Sequence, residues 1–239
     1  MSWISKVCVA MSLTMIVSLE SQAGSTIGSS GISQPKITIR FFNYAPVPTK
    51  ILGEARERVT AIYHRSGIAI DWVECPVGDQ DPSQFPACTE DYDATHLFLH
   101  LLPQAAKTIK MERAGESLLS VRMANIYWNR VREKAKSMQV EVERLLAHAV
   151  AHEVGHLLLG SNSHSPSGIM VGKWSRQDLI NISQSGLSFS AKQSKFIQAE
   201  VQRRMKKQPM NQTVEVDELS AKETKSPSME RKVDHNGSM

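Results

Sequence analysis

The chain has 239 residues, of which 41% are hydrophobic and 22% charged, with a formal charge of +4 and a pI near 9.0. That is room for one catalytic-sized domain plus tails, and too much apolar content for a wholly disordered chain. The basic residues are interleaved with acids, and the clusters Arg203-Arg204, Lys206-Lys207 and Arg231-Lys232 fall at or past the expected end of the fold, which leaves no stripe suited to nucleic acid.

At the start, Lys6 precedes a charge-free run from Val7 to Leu19 and the small-residue triplet Ser21-Gln22-Ala23, the pattern of a signal peptide spanning residues 1–23. Roughly thirteen apolar residues are short of the ~20 that span a bilayer, so no stable membrane anchor is expected. Residues 24–35 are Gly/Ser-rich and read as a flexible leader. The compact domain is expected over 36–205.

Lys36–Tyr44 alternates and is rich in β-formers, which predicts a strand. Pro46–Arg65 carries Ile51, Ala55, Val59 and Ile62 at helical spacing before Gly67. Ile68–Cys75 and Thr95–Pro103 read as further strands, the first two strands and the long helix forming a βαβ unit. Between them lies a Pro-, Asp- and Gln-rich excursion flanked by Cys75 and Cys88. In an exported chain two cysteines suggest a disulfide closing that loop, the other reading being two free thiols.

Beyond a polar stretch from Gln104 to Glu116, the segments Ser117–Met123 and Ala124–Val131 read as two short strands. From about Val131 a helix is predicted to run through Val140, Leu145, Leu146 and Val150 to Leu159 and to stop at Gly160, a residue suited to a left-handed C-cap. The stretch Ser161–Lys173 cannot continue a helix, and helical spacing resumes over Ser190–Met205. Residues 206–239 are polar and expected to be a disordered tail.

The chemistry lies in the penultimate helix. His152, Glu153 and His156 form HExxH, and histidines four apart on a helix place both rings on one face, about 5–6 Å apart at Cβ, where two nitrogens can share one ion. Glu153 is turned about 100° around the helix, which aims its carboxylate at a water on the metal and not at the metal itself. A catalytic zinc takes three protein ligands and keeps a fourth position for water, and His164 on the returning loop is the natural third.

With Ser167-Gly168-Ile169-Met170 following, this stretch resembles the metzincin metallopeptidases, whose extended motif has HExxH, a glycine turn, a third His and a Met-turn. It is also distantly similar to matrix metalloproteinase-like catalytic domains, through Leu157-Leu158-Leu159-Gly160 and His164-Ser165. The spacing is longer than the family's, with Gly160 eight and His164 twelve residues after His152. The resemblance covers residues 148–170 specifically and the upstream element order only in outline.

It implies an α+β metzincin-like zincin domain: a small twisted mixed sheet with a long backing helix and an active-site helix, followed by a C-terminal helix. The implied activity is that of a zinc-dependent (Zn2+) metalloendopeptidase, expected to be a monomer, and the signal-peptide pattern of residues 1–23 makes it secreted or periplasmic. Glu153 would assist attack of a zinc-bound water on a peptide or protein substrate, with Met170 in the Met-turn beneath the metal. Substrate would pair with an edge strand, for which the Leu118–Arg122 segment is the candidate. An exported zinc-binding or interaction protein that keeps the fold without turnover is the competing reading, and retention of Glu153 favours the enzyme. Alternatives within the site are His148, read as a supporting residue, and Glu200 as a third ligand from the last helix.

Overall fold

The structure is a computed structural model that describes residues 34–110 and 113–207. The expected signal peptide, nearly all of the leader and the tail from residue 208 lie outside the described residues. Eleven regular elements follow one another: β1 (Lys36–Asn43), α1 (Thr49–Arg65), β2 (Ala69–Cys75), the short α2 (Pro86–Thr89), β3 (His96–Leu102), β4 (Gly115–Leu118), β5 (Met123–Tyr127), α3 (Trp128–Met138), α4 (Val142–Leu159), α5 (Arg176–Gln184) and α6 (Ala191–Lys206). The strands form one sheet in the order β2-β1-β3-β5-β4. All neighbours are parallel except β4, which runs antiparallel to β5 at the edge. The fold is thus α+β with a mixed sheet.

Burial follows the two expected periods. Ile37, Ile39 and Phe41 of β1 and Leu97, Leu99 and Leu101 of β3 point to the buried side of the sheet, as period-2 alternation requires. Leu52, Ala55, Val59 and Ile62 put one stripe of α1 into the same core, and α1 packs on α4. The Tyr63 hydroxyl donates to the Ala151 carbonyl of α4 at 3.0 Å, so the two helices are joined by a buried polar bond as well as by apolar contact. From Leu145 to Leu158 every residue of α4 is buried, since β4, β5, α1, α3, α5 and α6 surround it.

Three sequence expectations fail between residues 117 and 142. The strand predicted over Ser117–Met123 lasts only to Leu118: Leu119–Val121 forms a 3-10 turn and Arg122 takes a left-handed conformation, φ 53°, before β5 begins. The second predicted strand ends at Tyr127, where α3 starts without an intervening loop and without a side-chain cap. The long helix predicted from Val131 to Leu159 is two helices, broken by Gln139 at φ 54°. Its apolar rhythm ran across the break because Val140 is buried between them.

Cys75 and Cys88 are joined in a disulfide, Cα–Cα 5.7 Å, which ties the end of β2 to α2. Arg40 from the sheet donates to the Cys88 and Glu90 carbonyls at 3.3 and 2.9 Å, holding the same excursion from inside. A cross-link over a loop of this size restricts the unfolded chain by about 3 kcal/mol. Reduction should therefore lower the free energy of urea unfolding by roughly that amount, while the Cys75→Ala/Cys88→Ala double variant should be equally stable with and without reductant. Among the described residues no helix is long and apolar enough to cross a membrane.

Candidate metal centre

Helix α4 places the HExxH residues where the sheet edge and the following loop meet. Its C-terminus is set by Gly160, at φ 94° and ψ 170°. The stop falls where the sequence predicts it, but the conformation is the mirror-extended region open to glycine and not the left-handed cap. The chain then turns back, and His164 arrives beside the two helix histidines. The Nε2 atom of His156 lies 3.1 Å from Nε2 of His152 and 3.1 Å from Nε2 of His164. One ligand atom from each of the three lies within 4.8 Å of the others, with His152 and His156 buried and His164 exposed.

The outer nitrogens determine what the inner ones offer. His152 Nδ1 donates to the Ile169 carbonyl at 2.8 Å. His156 Nδ1 lies 3.2 Å from the Gly160 carbonyl and 2.9 Å from the Ser163 hydroxyl. A neutral imidazole protonated at Nδ1 presents a lone pair at Nε2. Lone pairs facing each other at 3.1 Å repel, and a shared cation relieves that repulsion. Nitrogens bound tetrahedrally at about 2.0–2.1 Å are about 3.3 Å apart, so the cage has the dimensions of a zinc site and its three-imidazole donor set suits that ion.

The loop beneath is fixed by backbone bonds: Ser165 N–H to the Met170 carbonyl at 2.8 Å, Val171 N–H to Gly168 at 3.3 Å, and Ile169 N–H to Ser188 at 3.0 Å. Met170 is fully buried. A Cβ on Gly155 would sit 2.6 Å from the Met170 sulfur and 3.1 Å from the Phe189 ring, so the glycine between the two histidines lets the thioether reach the helix backbone.

Glu153 points away from the histidine cage toward the sheet edge. The Ser117 hydroxyl of β4 lies 2.5 Å from its Oε2 and 2.8 Å from its carbonyl oxygen. Burial pushes the Glu153 carboxyl up to about 7, against the Ser117 hydrogen bond and the charge of Arg113, while Glu116 adds to the rise. Burial likewise lowers His152 to about 4 and lowers His156. Low histidine pKa values keep the rings neutral and able to ligate near neutral pH. These groups open on a cleft of about 350 Å³, bounded by β4 residues on one side and by Gly172, Lys173 and Trp174 on another. The Trp174 ring meets His152 edge-on, centroids 6.3 Å apart.

The neighbouring candidates separate cleanly. His148 does not reach the cage: its Nδ1 donates to the Arg144 carbonyl at 2.7 Å and its Nε2 accepts from Leu187 N–H at 2.9 Å, which pins the segment before α6 onto α4. Glu200 is taken by Arg203 and Arg204 at 2.7 Å, and Arg204 also donates to the Leu157 carbonyl, so this acid braces the end of α4 and is no ligand. The edge strand beside the site is Gly115–Leu118, one turn earlier than the Leu118–Arg122 segment that sequence favoured. Sequence reasoning missed Ser117 as the partner of Glu153; its side in a strand alternating Gly, Glu, Ser, Leu was the available signal.

His148 gives a pH prediction. Burial lowers it from an ordinary 6.5 to about 4, the Arg144 carbonyl opposing and Arg58, Arg65 and Arg144 assisting. A base whose folded pKa is depressed takes up its proton preferentially when unfolded. Its contribution is complete above pH 6.5 and is lost as pH falls toward 4, by about 3 kcal/mol. In chelator-treated protein the stability advantage of wild type over His148→Gln should shrink by that order between pH 7 and pH 4 in urea titrations. A gap that stays constant would mean His148 titrates normally.

No protein-family model matches the chain, and no curated protein matches it in sequence. Solved structures that it resembles include two zinc-peptidase folds. One is a zinc-dependent peptidase from Methanocorpusculum labreanum strain Z, at 15% identity over 66% of this chain and 99% of that one, with a TM-score of 0.47. The other is archaemetzincin from Methanopyrus kandleri, at 15% identity over 71% of this chain and 97% of that one, with a TM-score of 0.46. Likeness at this level leaves the side chains of the cleft to speak for the chemistry.

Proposed function

We propose that the protein is a zinc-dependent metallopeptidase of the metzincin type. The observation that carries this reading is the meeting of three imidazole nitrogens with a buried carboxylate, Glu153, that is excluded from the cage and opens on the same cleft. A zinc ion held by His152, His156 and His164 would supply a positive charge that acidifies water and polarises a carbonyl oxygen.

The protein's own groups do the rest. Glu153 accepts a proton from the attacking water and returns it to the leaving amine, acting as general base and then general acid. Its raised pKa suits both roles near neutrality. Ser117 holds the carboxylate rotamer: its single proton goes to the Glu153 carbonyl or to Oε2, and a protonated Glu153 donates back to the hydroxyl. Met170, seated against Gly155, is the proposed Met-turn residue and floors the cage. The free edge of β4 is available to pair with an extended peptide running past the histidines.

The Cys75–Cys88 disulfide supports work in an oxidising compartment, consistent with export through the 1–23 segment. The test is metal analysis and casein hydrolysis by the purified full chain. One zinc per chain, with hydrolysis lost to a chelator and restored by zinc, is expected. Stoichiometric zinc with no cleavage of casein or of a peptide library would favour the binding protein over the enzyme.

A further inference from the structure

The cleft beside the histidines has a charge character that the peptidase reading leaves unused. Lys134, half-buried on α3, and Lys173, exposed on the loop that follows Met170, both line it, with Arg113 from the segment entering β4. Among the described residues neither lysine enters an ion pair. The two acids of the cleft are otherwise engaged. Glu116 Oε1 accepts from the Tyr127 hydroxyl at 2.5 Å and from Asn125 Nδ2 at 3.2 Å, while Glu153 meets Ser117. Lys173 directly precedes Trp174, whose ring abuts His152, and it lines the same cleft as the three histidines.

We propose that Lys134 and Lys173 form an anion-binding subsite that binds a carboxylate of the peptide substrate next to the scissile bond. The inference rests on the peptidase reading and specifies its substrate class. Burial, and secondarily the neighbouring Lys173, hold the Lys134 ammonium below its ordinary 10.5, as expected of a partly desolvated cation beside another cation. Such a pair is electrostatically unsatisfied until an anion enters. A carboxylate between the two gains attraction from both, in a recess less screened than open surface. The carboxylate has two possible sources, an acidic side chain or a peptide C-terminus, and these differ in where the scissile bond may lie.

Matched internally quenched octapeptides of Ala and Leu, carrying Glu or Gln at each position around the central bond and made as C-terminal acid or amide, distinguish them. Wild-type protein should cleave the best Glu peptide about five- to tenfold faster in kcat/KM than its Gln twin, or the acid faster than the amide, with the ratio falling as salt rises. The Lys134→Glu/Lys173→Glu variant should reverse the ratio and favour a Lys-bearing peptide. Binding of the same peptides to the Glu153→Ala variant, read by isothermal calorimetry, should show the same preference without turnover. Cleavage with no charge preference overturns the subsite and leaves the peptidase standing. Charge-selective binding without any cleavage by wild type overturns the peptidase and keeps the subsite. If neither cleavage nor binding discriminates acid from amide or Glu from Gln, the subsite is wrong.

Discussion

Glu153→Gln is expected to reduce peptide hydrolysis by about 10²–10⁴-fold while zinc content stays at the wild-type level. The two halves of this result follow from different parts of the geometry. Glu153 is held by Ser117 on the β4 side and contributes no atom to the cage of His152, His156 and His164, so its loss leaves the donor set whole. Glutamine keeps the volume and can still accept from the Ser117 hydroxyl, but it cannot take up a proton near neutral pH. Protein folding is therefore preserved, and near-unchanged unfolding midpoints are the control. Loss of zinc in this variant would mean that the carboxylate orders the cage, and unchanged hydrolysis would remove Glu153 from the chemistry.

The parts of this arrangement that were legible in the sequence are those set by local periodicity. The order β1, α1, β2, β3 follows from alternation and helical spacing over Lys36–Leu102, because each element buries one face against the same core. Positions four apart on α4 necessarily bring His152 and His156 together. What failed depended on tertiary override. Gln139 breaks the helix with no glycine or proline to announce it, held by Val140 turning inward and bonding to the Ala135 carbonyl at 3.0 Å. Arg122 takes a positive φ while donating to the Asp93 carbonyl at 2.7 Å, a contact far along the chain that ends β4 early.

Helix α5 shows the opposite case, a signal present in the sequence but unread. Ser175 and Asp178 form a capping box, each side chain bonded to the other's backbone N–H, and the pattern Ser-x-x-acid before Leu179 and Ile182 states it. Its apolar face is only Leu179 and Ile182, too narrow for periodicity to detect without the cap. The lysines and arginine of the cleft belong to a third group. Arg113, Lys134 and Lys173 lie on three separate segments, and their convergence exists only once α3 packs beside α4.

His156→Ala should abolish stoichiometric zinc binding and, with it, the stabilisation that zinc confers. A ligand that binds only the folded state adds RT ln(1 + [L]/Kd), about 4 kcal/mol at a thousandfold excess over Kd. Wild-type protein should therefore melt at a higher temperature with zinc than with chelator, and the variant at one temperature in both. His156 is the most informative of the three ligands to remove, because its Nε2 alone lies 3.1 Å from both partners. Without it, His152 and His164 remain as a two-nitrogen site with one buried and one exposed member, too weak to retain zinc through dialysis. The metal-free variant should lose less stability than an ordinary buried side-chain deletion, since the repulsion among facing lone pairs is removed together with the packing. A zinc-dependent shift persisting in His156→Ala would place the metal elsewhere in the fold.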